Sequence, residues 1–101
     1  MRDTSQSEPG RVRLKGRLLC SSAEEAGIVA THLPEHIRLT RAEPGCLSFE
    51  AVRSDDPLIW HVEECFRDKA AFEFHRERTR ASAWGTATAA IRREFDISGL
   101  D

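Results

Sequence analysis

The 101-residue sequence lacks several features that would assign a protein to a broad class. No apolar run approaches the roughly 20 residues of a membrane-spanning helix, and residues 1–10 lack the apolar segment of a signal peptide. We therefore predict a cytoplasmic protein with no membrane partner. Only three cysteines occur, an odd number at wide spacing, which disfavours a disulfide framework.

An excess of charge of one sign is also missing. Fifteen Lys and Arg against 17 Asp and Glu give a net charge of −2. The densest basic run, residues 76–80, is broken by Glu77 and has no aromatic ring to stack on a base. We expect no nucleic-acid partner. No flavin, nucleotide or metal motif is present, so we expect no cofactor and no metal site.

What is present indicates one small domain. Residues 1–10 are polar and end in Pro9 and Gly10, which predicts a mobile tail before a single domain at 11–101. From residue 11, apolar residues alternate with basic ones, as in a half-buried first strand. Ser22 and Glu25 have the spacing of a capping box, so a helix should begin there. We expect a kink or a short break of this helix at Leu33 or Pro34, and its apolar stripe should end at residues 43–45.

Two strands at 46–53 and 58–67 flank the turn formers of residues 54–57, which predicts a hairpin. A turn centred between residues 55 and 56 would pair Leu47 with Glu64 and Cys46 with Cys65. Asp68 then caps a second helix, a further helical segment should cover 82–93 despite Gly85, and a last strand should cover 94–98.

The element order β, α, β, β, α, β predicts an α+β, ferredoxin-like fold. Its antiparallel sheet should have strand order 4-1-3-2 with both helices on one face. The open face would mix apolar residues with charges of both signs, which favours packing against a second sheet, so we predict a homodimer. With strand three taken as a parallel neighbour of strand one, all three cysteines should gather at one end of the sheet. We expect them to be small buried hydrophobes, although a Cys46–Cys65 disulfide under oxidation stays open.

Three segments, EPGCLSFEAV, EECFRD and AAFEFH, resemble the antibiotic biosynthesis monooxygenase family of dimeric α+β barrels over about residues 11–97. In that resemblance Glu64 takes the place of a strand glutamate, Asp68 that of the helix-capping aspartate and His75 that of a helix histidine. Phe66 stands where tryptophan is usual, and Arg80 where many relatives have a second histidine. The sequence has no asparagine, and it lacks the asparagine, tryptophan and second histidine of the haem-degrading members, so haem oxygenation is not expected.

His75 and Glu64 are the candidate catalytic residues. A histidine titrates near neutrality and could act as general base, or it could be structural. Glu64 lies on an otherwise apolar face and needs a partner, either His75 or an arginine, and it could instead anchor the second helix. The aromatic candidates could line a substrate cavity or only fill the core, and Arg80 could meet a substrate oxyanion or lie exposed. These candidate substrate-binding residues are Trp60, Trp84, Phe49, Phe72 and Arg80.

The resemblance implies a cofactor-independent monooxygenase acting on a small aromatic or quinol-type substrate with molecular oxygen. An isomerase of a small enolisable carbonyl compound, or a dimer that binds a small molecule without turnover, are the alternatives.

Overall fold

The computed structural model describes residues 10–100, so the predicted tail lies outside the described residues except for Gly10. The strands are β1 (Val12–Leu19), β2 (Cys46–Arg53), β3 (Ile59–Phe66) and β4 (Arg92–Ser98). The helices are α1 (Ala23–Arg41), α2 (Lys69–Ala81) and the short α3 (Ala83–Ala87).

The four strands form one antiparallel sheet in the order β2-β3-β1-β4, which confirms the predicted ferredoxin-like topology. All three helices lie on one face, and the core is between them and the sheet. The inward-facing strand residues Val12, Leu14, Leu18, Val62 and Phe66 are buried. Within the described range, neither long helix has an apolar stretch sufficient to cross a lipid bilayer.

Both predicted helix caps form. The Ser22 hydroxyl accepts a hydrogen bond from the Glu25 amide at 3.2 Å, and Asp68 accepts one from the Ala71 amide at 2.8 Å. Of the kink or short break predicted at Leu33 or Pro34, the break is wrong, because α1 continues through both residues to Arg41. Pro34 is exposed, so the missing N–H and the ring lie on the solvent side of the helix.

The predicted hairpin register is wrong by two residues. Phe49 pairs with Glu64 and Ala51 with Val62, because the turn is centred between residues 56 and 57. The Asp56 carboxylate accepts from the Leu58 amide at 2.9 Å and thereby fixes this turn. A shift of two residues leaves the β2 residues from Ser48 onward and their β3 partners on their predicted faces.

A β-bulge near Leu47 changes the start of β2. Cys46 pairs with Phe66 and packs against the core, whereas Leu47 is exposed. The register therefore does not place Cys46 opposite Cys65. The expected gathering of all cysteines is also wrong, because β1 runs antiparallel to β3 and Cys20 lies near Leu58, at the other end of the sheet.

The helix predicted over 82–93 is wrong beyond Ala87. Helix α3 ends there, a turn follows, and β4 begins at Arg92. Gly85 permits α3 to approach α2 closely, since a Cβ at this position would lie 2.1 Å from the Thr79 carbonyl oxygen. The early start of β4 places Arg93 on the inward face, opposite Leu18.

Candidate functional site

A cavity of about 370 Å³ lies between the inward face of the sheet and the helices. Its apolar surface comes chiefly from strand residues, together with Leu33 of α1, Phe72 of α2, Trp84 of α3 and Ala89 of the turn after α3. Polar side chains also line it, namely His36, Glu64, His75, Arg76, Thr79, Arg80 and Arg93. This volume is in the range of pockets that bind small organic molecules.

The loop between α1 and β2 brings a carboxylate to this region. Gly45 allows the loop to lie against α2, since a Cβ on Gly45 would stand 2.2 Å from the Ala71 Cβ. One helical turn after Ala71, His75 meets the buried carboxylate of Glu43, which comes two residues before Gly45. The EPG segment thus positions a partner for the histidine as well as ending the helix.

Glu43 fixes the orientation of the His75 ring. The Glu43 Oε2 atom lies 3.1 Å from His75 Nδ1 and also accepts a hydrogen bond from Arg78 Nε at 2.5 Å. Because a carboxylate is only an acceptor, a neutral imidazole must donate the hydrogen bond to Glu43. The ring proton is therefore on Nδ1, and Nε2 has the lone pair. The Nε2 atom lies near Thr79 and Glu64, both of which line the cavity.

Burial lowers the pKa of His75, the hydrogen bond that its Nδ1–H donates to the Glu43 carboxylate raises it, and the Arg78 charge lowers it. Burial is the largest of these effects, so the neutral imidazole predominates near pH 7. The ring is therefore in the state that a general base requires, with its unprotonated nitrogen next to the cavity.

Glu64 is a buried acid in the same cavity. Burial raises its pKa to about 7, with the nearby Glu43 adding to the rise and Arg93 opposing it. Its Oε1 atom is 3.7 Å from His75 Nε2, too far for a hydrogen bond, and has no hydrogen-bond partner within residues 10–100. Neither predicted partner, His75 or an arginine, satisfies this atom, which leaves it available to a ligand.

This raised pKa predicts a specific dependence of stability on pH. The folded protein keeps the Glu64 proton at pH values where the unfolded chain has lost it. The resulting stabilisation is fully present below pH 4.5 and is lost as pH rises to about 7, a change of ~3 kcal/mol. Urea unfolding of wild type and Glu64→Gln should show the wild type losing that much relative to the variant between pH 4.5 and 7.5. A constant difference between the two proteins would contradict the raised pKa.

A second histidine, His36 on α1, lines the cavity and is buried. Its ring stacks on Trp84 with centroids 4.6 Å apart and an interplanar angle of 8°, and Phe49 contacts it edge-on at 5.4 Å. Burial, with His75, Arg78 and Arg93 nearby, lowers the pKa of His36 to about 3, so the ring is neutral at all ordinary pH values.

Of the predicted substrate-binding residues, Phe49, Phe72, Trp84 and Arg80 line the cavity together with the candidate catalytic pair. Arg80 is exposed at its edge and pairs with Glu77 at 2.9 Å. Trp60 does not line the cavity. It is buried near the hairpin end, where the Arg53 guanidinium lies 4.8 Å from its ring centroid.

The sequence interpretation missed Glu43, His36 and Arg93. His36 could have been found, because the spacing from Val29 through Leu33 to His36 and Thr40 follows the buried stripe of α1. The inward position of Arg93 could have been predicted from its alternation with Phe95 and Ile97 along β4. Nothing local distinguishes Glu43 from an ordinary residue at a helix end.

Most of the chain matches a family of known proteins. Residues 22–87 match the model of the antibiotic biosynthesis monooxygenase family. The chain belongs to this family. No curated protein matches the sequence.

Solved structures show the same fold for this family member. A Nitrosomonas europaea protein described as a candidate antibiotic biosynthesis monooxygenase is 19% identical, with a TM-score of 0.73 over 89% of this chain and 90% of its own. A Pseudomonas aeruginosa protein is 19% identical, with a TM-score of 0.71 over 90% and 94%. A Mycobacterium tuberculosis protein is 22% identical, with a TM-score of 0.69 over 90% and 96%.

Proposed function

We propose that this family member is a cofactor-independent monooxygenase that oxidises a small aromatic or quinol-type substrate with molecular oxygen. The observation that carries the proposal is the buried Glu43–His75 pair, which presents an unprotonated Nε2 to an apolar cavity. Family membership supports a monooxygenase-like function in general. The residues around the cavity support the finer assignment.

The first step is proton removal. A substrate hydroxyl, or an acidic C–H next to a carbonyl, gives its proton to His75 Nε2. The resulting imidazolium is stabilised by the Glu43 carboxylate at Nδ1, and Glu43 in turn is held by Arg78. Glu64, which is largely protonated below pH 7, can donate a hydrogen bond to the substrate oxyanion as it forms.

The second step uses the electrons of the substrate anion. For an anthrone, the carbanion transfers one electron to oxygen, and the substrate radical and superoxide combine to form a C–O bond. Proton transfer and cleavage of the O–O bond then release water, and the ring CH2 group becomes a carbonyl. One oxygen atom enters the product and the other leaves as water, so oxygen is reduced by the substrate alone.

Oxygen uptake with a panel of hydroquinones and anthrones tests this function. We expect uptake above the rate of spontaneous oxidation for at least one substrate, with incorporation of a single atom from labelled oxygen gas. Uptake no faster than in protein-free solution for the whole panel would contradict the proposal and would favour a dimer that binds without turnover.

An isomerase is the second candidate, favoured by the acid next to the base. Glu64 Oε1 and His75 Nε2 lie 3.7 Å apart, so one could remove a proton from an enolisable carbonyl compound while the other returns a proton at the neighbouring position. Solvent-deuterium exchange into such a substrate under anaerobic conditions separates the two functions. Exchange that persists without oxygen and yields an isomer identifies the isomerase.

The open face of the sheet supports a homodimer, which is common in this family. This face carries basic residues on β1 and mainly acidic residues on β2, β3 and β4, and the pairs Lys15–Glu63 and Arg17–Glu94 already balance charges across it within one chain. Val52, on the same face, is 60% exposed. Such an arrangement favours sheet-on-sheet packing.

Val52→Asp is therefore expected to shift the protein from dimer to monomer in light scattering coupled to gel filtration, because it places a carboxylate in the apolar part of the interface. Phe74→Asp is the matched control. Phe74 is 55% exposed on α2, on the opposite side of the molecule, and its replacement should leave the dimer intact. A wild-type monomer, or a Val52→Asp dimer of unchanged stability, would contradict this interface.

A further inference from the structure

His36 combines deep burial with an unsatisfied polar atom. Its side chain is only 4% exposed, and its Nδ1 atom has no hydrogen-bond partner in the part of the chain that the structure describes. A buried polar atom without a partner costs about 1–3 kcal/mol. Buried polar groups in folded proteins are nearly always hydrogen-bonded, so an exception at a cavity indicates a group that a ligand completes.

The ring of His36 is held in place by its neighbours. Trp84 covers one face at a centroid distance of 4.6 Å, and Phe49 contacts the ring at 5.4 Å and 86°. These two contacts fix the plane of the imidazole, and a 180° flip, which exchanges Nδ1 with Cδ2, is the one ring rotation that keeps the stack. The position is therefore determined before any ligand binds, as a specific binding group requires.

The two cavity histidines are close enough to act on one molecule. The ring centroids of His36 and His75 are 5.8 Å apart, and both residues line the same cavity. The residues around them that belong to the sheet are mostly apolar, including Leu14, Leu18 and Val62. A ligand that reaches both imidazoles needs two polar atoms on one compact apolar scaffold.

We propose that His36 determines substrate specificity by hydrogen-bonding a second oxygen of the substrate, while the first oxygen lies at His75. The substrate class is then a fused-ring aromatic compound with two oxygen substituents, and compounds with one oxygen bind less tightly. This inference rests on the proposed function for the aromatic scaffold. It concerns binding alone and needs no turnover.

A neutral imidazole suits this role. Each of its nitrogens offers a fixed function, one donor and one acceptor, so it can bind a hydroxyl or a carbonyl oxygen. Because the low pKa keeps His36 uncharged, it does not compete with His75 for the substrate proton. The two histidines of the cavity thus have different tasks, recognition for His36 and proton removal for His75.

The test is an anaerobic calorimetric titration with two probes, 1,4-dihydroxynaphthalene and 1-naphthol, which differ by one hydroxyl. Wild type should bind the dihydroxy compound about tenfold more tightly, as one hydrogen bond to a buried partner provides. In His36→Phe, which keeps an aromatic ring against Trp84, this ratio should fall close to one while the affinity for 1-naphthol changes little. His36→Gln, which keeps a donor and an acceptor, should retain most of the ratio.

His32→Phe is the control on the same helix, at a residue that does not line the cavity, and should keep the wild-type ratio. Three results would each overturn the assignment: a wild-type affinity ratio near one, an unchanged ratio in His36→Phe, or no binding of either probe. The wild-type ratio tests the assignment even if a variant does not fold. Selective binding without oxygen uptake would keep this inference and reject the proposed oxidation.

Discussion

Replacing His75 by asparagine is expected to reduce the initial rate of oxygen uptake by ~100-fold or more, because general-base catalysis contributes about 10²–10⁴. The asparagine amide can still donate to Glu43 from near the position of Nδ1, but it cannot accept a proton at the position of Nε2. The variant therefore separates the loss of the base from the loss of the buried pair. Initial rates with the best substrate of the panel, corrected for spontaneous oxidation, measure the effect.

His32→Asn is the control, since His32 lies on α1 outside the cavity lining and should leave the rate unchanged. Circular dichroism melting of both variants shows whether each is folded at the assay temperature. A folded His75→Asn protein with wild-type activity would remove His75 from the mechanism.

Replacing Glu43 by leucine is expected to lower the free energy of unfolding by about 3 kcal/mol, because it leaves two polar partners without their acceptor. Glu43 is buried, and its Oε2 atom accepts from both His75 Nδ1 and Arg78 Nε. The Arg78 side chain is 22% exposed, so solvent offsets part of the cost of leaving it unpaired. Urea unfolding at one fixed protein concentration measures the change, which keeps any dimer contribution constant.

A double-mutant cycle with Arg78→Leu identifies the source of that loss. We expect the double variant to lose less unfolding free energy than the sum of the losses in the two single variants, because each single change leaves the other side chain without its partner. Glu35→Gln is the exposed control, since the Glu35–Arg38 pair lies in solvent and should contribute little. Additive effects of Glu43→Leu and Arg78→Leu would show that the pair is not a coupled unit.

Glu43→Leu also tests the mechanism. Without the carboxylate, the His75 ring loses the hydrogen bond that selects its tautomer, and the imidazolium loses its counter-charge. Catalysis should therefore weaken even where the folded fraction is unchanged, and the effect should be smaller than that of removing the base itself.

The two faces of the hairpin show how far periodicity determines a structure. The predicted register was wrong by two residues, yet Phe49, Val62 and Glu64 all lie on the predicted face, because alternation has a period of two. The bulge near Leu47 was not predictable in the same way. It depends on how β2 joins a loop that packs against α2, which is a tertiary contact.

The candidate site likewise combines residues whose positions follow from local patterns with residues whose positions depend on tertiary contacts. The spacing within α2 places His75 on the buried stripe with Ala71 and Phe72, and alternation within β3 places Glu64 inward, so both follow from local patterns. Glu43 lies 32 residues before His75, and its role depends on the path of the loop past Gly45. Trp60 satisfies the same local pattern as Val62 and still lies outside the cavity lining, because the cavity does not extend to the hairpin end.

Local sequence patterns are sufficient to predict the ferredoxin-like strand order, the two capped helices and the inward positions of His75 and Glu64, because caps and periodicity act over a few residues. Contacts between distant elements establish the rest of the site, in which Glu43 orients His75 and the His36 ring stacks on Trp84 at the cavity. Those features depend on distances between elements far apart in the chain, which loop paths and side-chain packing set, and no local pattern encodes them.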